Sequence, residues 1–349
     1  MPSSVVATTR SYVSRNRRAR RQGFALALTS LMMVFIVSIM GMAVDALVLF
    51  SIRGRLSSAA NSAALAAVRD VSLGVDIADA NAKATESARR FLSAGFPANY
   101  LGVDPAHTTI STGFNRSTEA GRPNGELLVS VLAEVAAPVY FMKFWGVTHV
   151  PVSVEGKATR RNLVLVVVLD KSAAKPPNAP SRCEAMMFAA SQIPDYFSPY
   201  DSIGVVSFGQ AASIVYPVST DFKGSGPNSL KALVSRIGCD KEYGRESNRA
   251  ASLETAYREI QRIDRKLAAN AVILVTGEGA NVHPARNQAK RMREDPNYRI
   301  RFDSIHIRPA GGKRQPAKEP EDAYTRSVDL QELAGVFAAH ASALQSLTR

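Results

Sequence analysis

Three hydrophobic patterns follow one another along the chain. From Phe24 to Val44 there is no charged residue and apolar side chains dominate, a run long enough to cross a bilayer as a helix. The apolar character continues past Asp45 through VLFSIRGRL and gives way to LSSAANSAALAAVRD. That stretch is alanine-rich and free of proline, so it extends the helix, and its small side chains suit close packing against another helix. The second pattern is mixed. Asp76–Ser93 reads as a helix ended by Gly95, Pro97 and Asn99. Residues 100 to 125 carry turn formers, and Glu126–Val135 and Val147–Glu155 read as strands, the latter with Val150, Val152 and Val154 on one face. The third pattern begins at Arg161. Leu163–Leu169 is an unbroken, valine-rich run, as expected of a strand buried on both faces in a parallel sheet. Further strands are expected at Ile203–Phe208, Ala271–Thr276 and Phe302–Ile307, with helices near Cys183–Tyr196, Ser229–Ile237, Leu253–Leu267 and Val328–Leu347. The alternation predicts a doubly wound, Rossmann-like α/β sheet.

These patterns divide the 349 residues into four segments. Residues 1–22 form a basic tail, and 23–70 an anchor whose transmembrane helix covers about 24–49. Residues 71–160 form a small α+β module, and 161–349 the α/β domain. A cleavable signal has a shorter apolar core followed by a small-residue cleavage site. This run passes through Asp45 without one, so an uncleaved span is expected. Arg10, Arg15, Arg17, Arg18, Arg20 and Arg21 precede the span with no acid before Asp45. By the positive-inside rule the tail stays in the cytoplasm and the bulk lies outside, with Arg53 and Arg55 a weaker opposing signal. Phe24 and Val44 mark the ends of the uncharged run. Asp45, at its outer end, is either a functional carboxylate or one that reaches the outer headgroups, and the second reading is preferred. The cluster Phe141-Met142-Lys143-Phe144-Trp145-Gly146 is either a partner or membrane contact or the cap of a small core, again with preference for the second.

Charge narrows the function. The formal net charge is +13, but the excess sits in the tail and around Lys313 and Arg314. No zinc-ligand spacing or aromatic–basic interleaving accompanies it, so nucleic acid is not an expected partner. No phosphate-binding G-x-x-x-x-G-K-[ST], no G-x-S-x-G elbow and no H-E-x-x-H occurs. The five histidines are scattered, and Ser207 lies inside a strand. Neither an enzyme nor a small-molecule substrate is expected. Two cysteines, Cys183 and Cys239, belong to no C-x-x-C pair. They are two buried thiols in a reducing compartment, or one disulfide if the region is exported.

Two resemblances sharpen this. The sequence Asp170-Lys171-Ser172-Ala173-Ala174, at the end of the central strand, resembles the D-x-S-x-S metal motif of von Willebrand factor type A domains. SIGVVSFG, NAVILVTGEGAN, FDSIHIRPAGG and DLQELAGVFAAHASALQSL resemble the later elements of that fold, over about residues 161 to 349. The resemblance implies a metal set of Asp170, Ser172 and Ser247, the last in Glu246-Ser247-Asn248. It also departs from the family. Ala174 stands where a serine is usual, and Thr276-Gly277-Glu278 stands where the family has Thr-Asp-Gly. Magnesium demands near-octahedral oxygen geometry, so a degenerate site with no cofactor is expected. Asp170 and Ser172 would then bond to loop amides, with Lys171 a conceivable substitute for the cation.

The basic tail, Gly23 and AVDALVLFSIRGRLSSAANSAALAA resemble the anchor of TadE/TadG-like proteins of tight-adherence (Flp-type) pilus systems. Leu28 stands where processed pilins carry glutamate after the cleavage glycine, so an unprocessed, TadG-like anchor is implied. The resemblance implies a bacterial inner-membrane protein with an exported A-type domain. Its implied partners are pilus or Tad secretion components. Export, together with cysteines at similar places in TadG-like proteins, implies a Cys183–Cys239 disulfide. The alternative is a metal-dependent adhesin or ligand-binding A module. A partner of a MoxR-type ATPase is a third reading, against which the Tad-like anchor argues.

Overall fold

The computed structural model describes residues 8–104, 108–119, 122–171, 182–239, 248–277, 282–307, 324–328 and 332–346. Helix α1 (Thr8–Asp70) runs unbroken for 63 residues, roughly 95 Å at the α-helical rise. It is long and apolar enough to cross a membrane. Its large side chains from Leu26 to Phe50, Val44 among them, are mostly exposed. A helix with apolar residues on every side has no single core-facing stripe, which is the pattern of a membrane span. Further along, Ile52, Leu56 and the alanines from Ala59 to Ala67 are buried.

After α1 come α2 (Ile77–Gly95) and three strands, β1 (Thr108–Glu119), β2 (Arg122–Pro138) and β3 (His149–Arg161), in the order β1-β2-β3. Alternate residues of β2, from Leu127 to Ala137, are buried, as the period of two requires. The small residues of α1 serve a strand as well as a helix. A Cβ at Gly156 of β3 would lie 2.3 Å from the Ala60 carbonyl oxygen, and one at Gly95 of α2 would lie 2.9 Å from the Ala59 methyl.

The second sheet has six strands: β4 (Leu163–Asp170), β5 (Ser202–Phe208), β6 (Ala212–Ser219), β7 (Ala269–Gly277), β8 (Arg301–Ile307) and β9 (Tyr324–Val328). Their order is β6-β5-β4-β7-β8-β9, parallel except for β6, which pairs antiparallel with β5. The helices are α3 (Arg182–Ser191), α4 (Leu230–Ser235), α5 (Arg249–Ile263), α6 (Val282–Glu294) and α7 (Leu333–Ser346). Every residue of β4 is buried, because both faces of the sheet are covered. Leu163, Leu165, Val167 and Leu169 point into a core with α3, α4 and α7. Val164, Val166 and Val168 point into another with α5 and α6.

Compact units divide the chain differently from its elements. One unit comprises 1–59, 93–110 and 132–155, the other 60–92, 111–131 and 156–349. The second contains a buried joint where β3 meets β4. Asp201 is fully buried, and its carboxylate accepts from Arg160 Nη2 at 3.0 and 3.1 Å, from Leu163 N at 2.9 Å and from Ser198 N at 2.9 Å.

Candidate functional site

The order of strands puts the topological switch at β4, where the chain turns from β5 on one side to β7 on the other. Open α/β sheets bind ligands at the carboxyl ends of the strands beside such a switch. Asp170 ends β4 there and is 4% exposed. Because Leu169 pairs with Val275 in a parallel register, Thr276 comes alongside Asp170. Its hydroxyl donates to Asp170 Oδ2 at 2.7 Å. That hydroxyl in turn accepts from Arg249 Nη2 at 3.2 Å, and the Arg249 side chain is buried.

Arg249 is the first residue of α5, and its position is fixed by the residue before it. Asn248 caps the helix by accepting from Ala251 N at 3.0 Å, while its own N–H donates to Gly209 O at 2.8 Å. Loop and helix start are thereby tied to the end of β5. Lys171 N donates to Phe208 O at 2.8 Å and extends β4 along β5. Arg249 of α5 thus brings a buried guanidinium to the hydroxyl that bonds Asp170. A helix N-terminus repels cations, so a buried arginine there needs the acceptors that the strand ends provide.

Of the three residues implied as metal ligands, Asp170 is placed as described. Ser172 and Ser247 lie outside the described residues, as do Ala174, Glu246 and Glu278. Among the described residues no group of three His, Cys, Asp or Glu side chains is arranged to hold a metal. The described donors fit magnesium poorly. The Thr276 hydroxyl already donates a hydrogen bond to Asp170 and accepts one from a guanidinium, so a second cation would meet a resident positive charge.

Cys183 and Cys239 form a disulfide, with Cα atoms 5.9 Å apart and a sequence separation of 56. It ties the start of α3 to the segment after α4. Ser207 is buried on β5 and shares a hydrogen bond with Ser213 of β6 at 3.0 Å.

At the other end of the chain, Phe24, Val44 and Asp45 all lie in α1. Two expectations need correction here. Asp45 does not reach outward to headgroups, for its carboxylate is fully buried. It accepts from the backbone N–H groups of Tyr140 at 2.8 Å, Phe141 at 2.9 and 3.2 Å, and Met142 at 2.7 Å. The aromatic cluster does not cap a core either, since Phe144 is 85% and Trp145 60% exposed. The β2–β3 connection is a one-turn 3-10 helix, Met142–Trp145, too short to fold its aromatics inward.

Residues 165–280 match the family model of the von Willebrand factor type A domain. The matched segment holds most of β4 together with β5, β6 and β7, and β8 and β9 of the same sheet follow it. The chain is similar to a von Willebrand factor type A protein from Catenulispora acidiphila. The two are 16% identical over 68% of this chain and 50% of that one, with a TM-score of 0.41. This chain thus spans about half the length of that relative. It is also similar to proximal thread matrix protein 1 from the mussel byssus, solved with a zinc occupied MIDAS motif. There the identity is 16%, the coverage 52% of this chain and 48% of that one, and the TM-score 0.43. A third likeness is to a point mutant of the PilB minor pilin from Streptococcus sanguinis, at 13% identity over 70% and 80% of the two chains, with a TM-score of 0.40. Likenesses this distant concern fold alone. No curated protein matches the chain.

Proposed function

We propose that this protein is a single-pass envelope protein whose exported von Willebrand A-type domain binds protein partners without a metal, in the assembly or anchoring of a tight-adherence pilus. The observation that carries the metal-independent reading is Arg249, whose guanidinium supplies a resident cation to the Asp170–Thr276 pair. The binding surface is then the set of loops at the carboxyl edge of the sheet, and no catalytic role is assigned to it. The pilus reading rests on the sequence of the anchor, in which AVD and AANSAALAA are the distinctive features. The burial of Asp45 supports it by giving the acidic residue of that motif a structural task. The arginine-rich tail supports a cytoplasmic N-terminus in the bacterial inner membrane, with the domain on the far side.

Purification of the full-length protein from its own membranes in mild detergent, followed by mass spectrometry, tests the reading. Co-recovery of pilin, TadE-like proteins or the pilus secretion apparatus is expected. A preparation free of them, also after crosslinking, overturns the pilus role.

A second reading, a metal-dependent adhesin, draws on Asp170 lying at the metal-motif end of β4. It requires Ser172 and Ser247 to complete the site. Calorimetry with magnesium, manganese and calcium separates the two, since only this reading produces heat of binding.

A further inference from the structure

The loop between β2 and β3 is held against α1 at one level of that helix. Asp45 accepts from three successive backbone N–H groups, Tyr140, Phe141 and Met142. One turn earlier on the same face, Gly41 leaves room for the Phe141 ring, and a Cβ there would lie 2.3 Å from Phe141 Cδ1. The remaining turn is closed internally. Phe144 N donates to Phe141 O at 3.1 Å, Gly146 N to Lys143 O at 3.0 Å and Val147 N to Met142 O at 3.3 Å. Gly146 adopts φ +85 to turn the chain back, a conformation that glycine reaches at little cost.

This level of α1 is the end of its uncharged run. Phe24–Val44 is roughly 30 Å long as a helix, the thickness of a hydrocarbon core. Gly41 to Asp45 therefore mark where the core gives way to headgroups. The loop presents Phe144 at 85%, Trp145 at 60% and Tyr140 at 53% exposure, together with an exposed Lys143. The apolar surface of α1 beside it continues through Leu47 and Phe50, both exposed. Tryptophan and tyrosine favour the membrane–water interface, and lysine places its stem in the apolar region with its ammonium in water.

We propose that loop 140–146 is a second membrane contact, inserting Tyr140, Phe144 and Trp145 into the interface of the outer leaflet beside the span. The occupant is lipid rather than a protein partner because Asp45 and Gly41 fix the loop to α1 at the level where the apolar run ends. Backbone N–H groups near the hydrocarbon must be satisfied within the protein, and Asp45 performs that task for three of them. A carboxylate is thereby kept in an apolar helix without facing lipid. The inference rests on α1 crossing the membrane.

Trp145 is the chain's only tryptophan, so its fluorescence reports on the loop in the full-length protein. The protein is reconstituted into phosphatidylcholine vesicles that contain lipids brominated near the headgroup end of the acyl chains. The expected result is loss of about half of the Trp145 emission, as for an interfacial indole, with little quenching by aqueous iodide. Strong iodide quenching with no effect of the brominated lipids overturns the proposal and leaves the aromatics as a water-facing surface. A second protein, Trp145→Phe with Phe35→Trp, reports on the span through lipids brominated near the chain ends. Quenching of that reporter without quenching of Trp145 refutes the loop contact alone. Absence of both refutes the span and the loop contact together. In Asp45→Ala, Trp145 quenching should fall while a span reporter in the same background stays quenched.

Discussion

Asp201→Asn is expected to be among the most damaging isosteric changes in the α/β domain. The wild-type carboxylate is fully buried and its partner Arg160 is 3% exposed. Four contacts converge on it, two from Arg160 Nη2 and one each from Leu163 N and Ser198 N. The amide keeps the shape and removes the charge, so the guanidinium remains buried without a counter-charge. The amide NH₂ also faces a donor. Breaking a buried pair by removing one partner costs about 3–5 kcal/mol. At roughly 2–4 °C per kcal/mol for a unit of this size, the melting temperature should fall by about 10 °C. Thermal unfolding of the detergent-solubilised protein, followed by circular dichroism at neutral pH, reads this directly. The double change Arg160→Met with Asp201→Leu should recover only part of the loss, because no buried charge remains but Leu163 N and Ser198 N lose their acceptor. A fall of less than about 3 °C in the single variant would refute the claim that this joint is a dry, paired site.

Four further outcomes are expected. Replacing both Cys183 and Cys239 by alanine should lower stability by about 4 kcal/mol, given their sequence separation of 56 and the chain-entropy relation. Alkylation of both thiols in native protein without reductant would contradict the bridge. Arg249→Met should cost about 2–3 kcal/mol, as loss of a buried charged hydrogen bond does. Millimolar magnesium should leave the wild-type melting temperature within about 1 °C, as it must if nothing binds the folded state. Glu259 contributes to the acid limb. Burial raises its pKa, but the Arg262 guanidinium and the Val218 N–H outweigh burial, so the net pKa lies below the ordinary 4.5. A depressed carboxyl stabilises above its unfolded pKa, and that stability is lost as pH falls through the folded value. The melting temperature should therefore decline as pH drops below 4.5, and Glu259→Gln should flatten that decline.

Much of this fold is legible in the order of residues because burial on both faces leaves a plain mark. The seven apolar residues from Leu163 to Leu169, valine-rich and too few for a buried helix, read as a central strand, and their odd and even members enter the two cores of the sheet. Other elements leave weaker marks. Strand β6, ASIVYPVS, sits at the sheet's edge, contains proline and alternates poorly in burial, and it is not among the strands expected from the pattern. Helix α6, VHPARNQAKRMRE, buries the small or apolar Ala285, Ala289 and Met292 among a sequence that is largely polar and charged. Strand β1, TTISTGFNRSTE, is polar and rich in turn formers, and hydrogen-bonded pairing in the sheet overrides that preference.

The candidate site divides the same way. Asp170 is legible as an acid closing an apolar strand. Arg249 is not, because its sequence neighbours suggest only a helix start. Its one signal is a basic residue at the first helical position, where acids are favoured. Asp45 shows a related limit. Its place at the end of an apolar run is plain, but the N–H groups that donate to it come from backbone some 95 residues away, and backbone donors have no sequence signature.

The most direct test of the central claim compares partner recovery with and without divalent cations. The full-length protein is crosslinked in its native membranes and purified in mild detergent, in parallel with magnesium and with excess chelator. Mass spectrometry then quantifies the crosslinked partners. If Arg249 rather than a metal organises the edge of the domain, the same pilus-assembly proteins are recovered in equal amount under both conditions. Partners that appear with magnesium and vanish with chelator would contradict it.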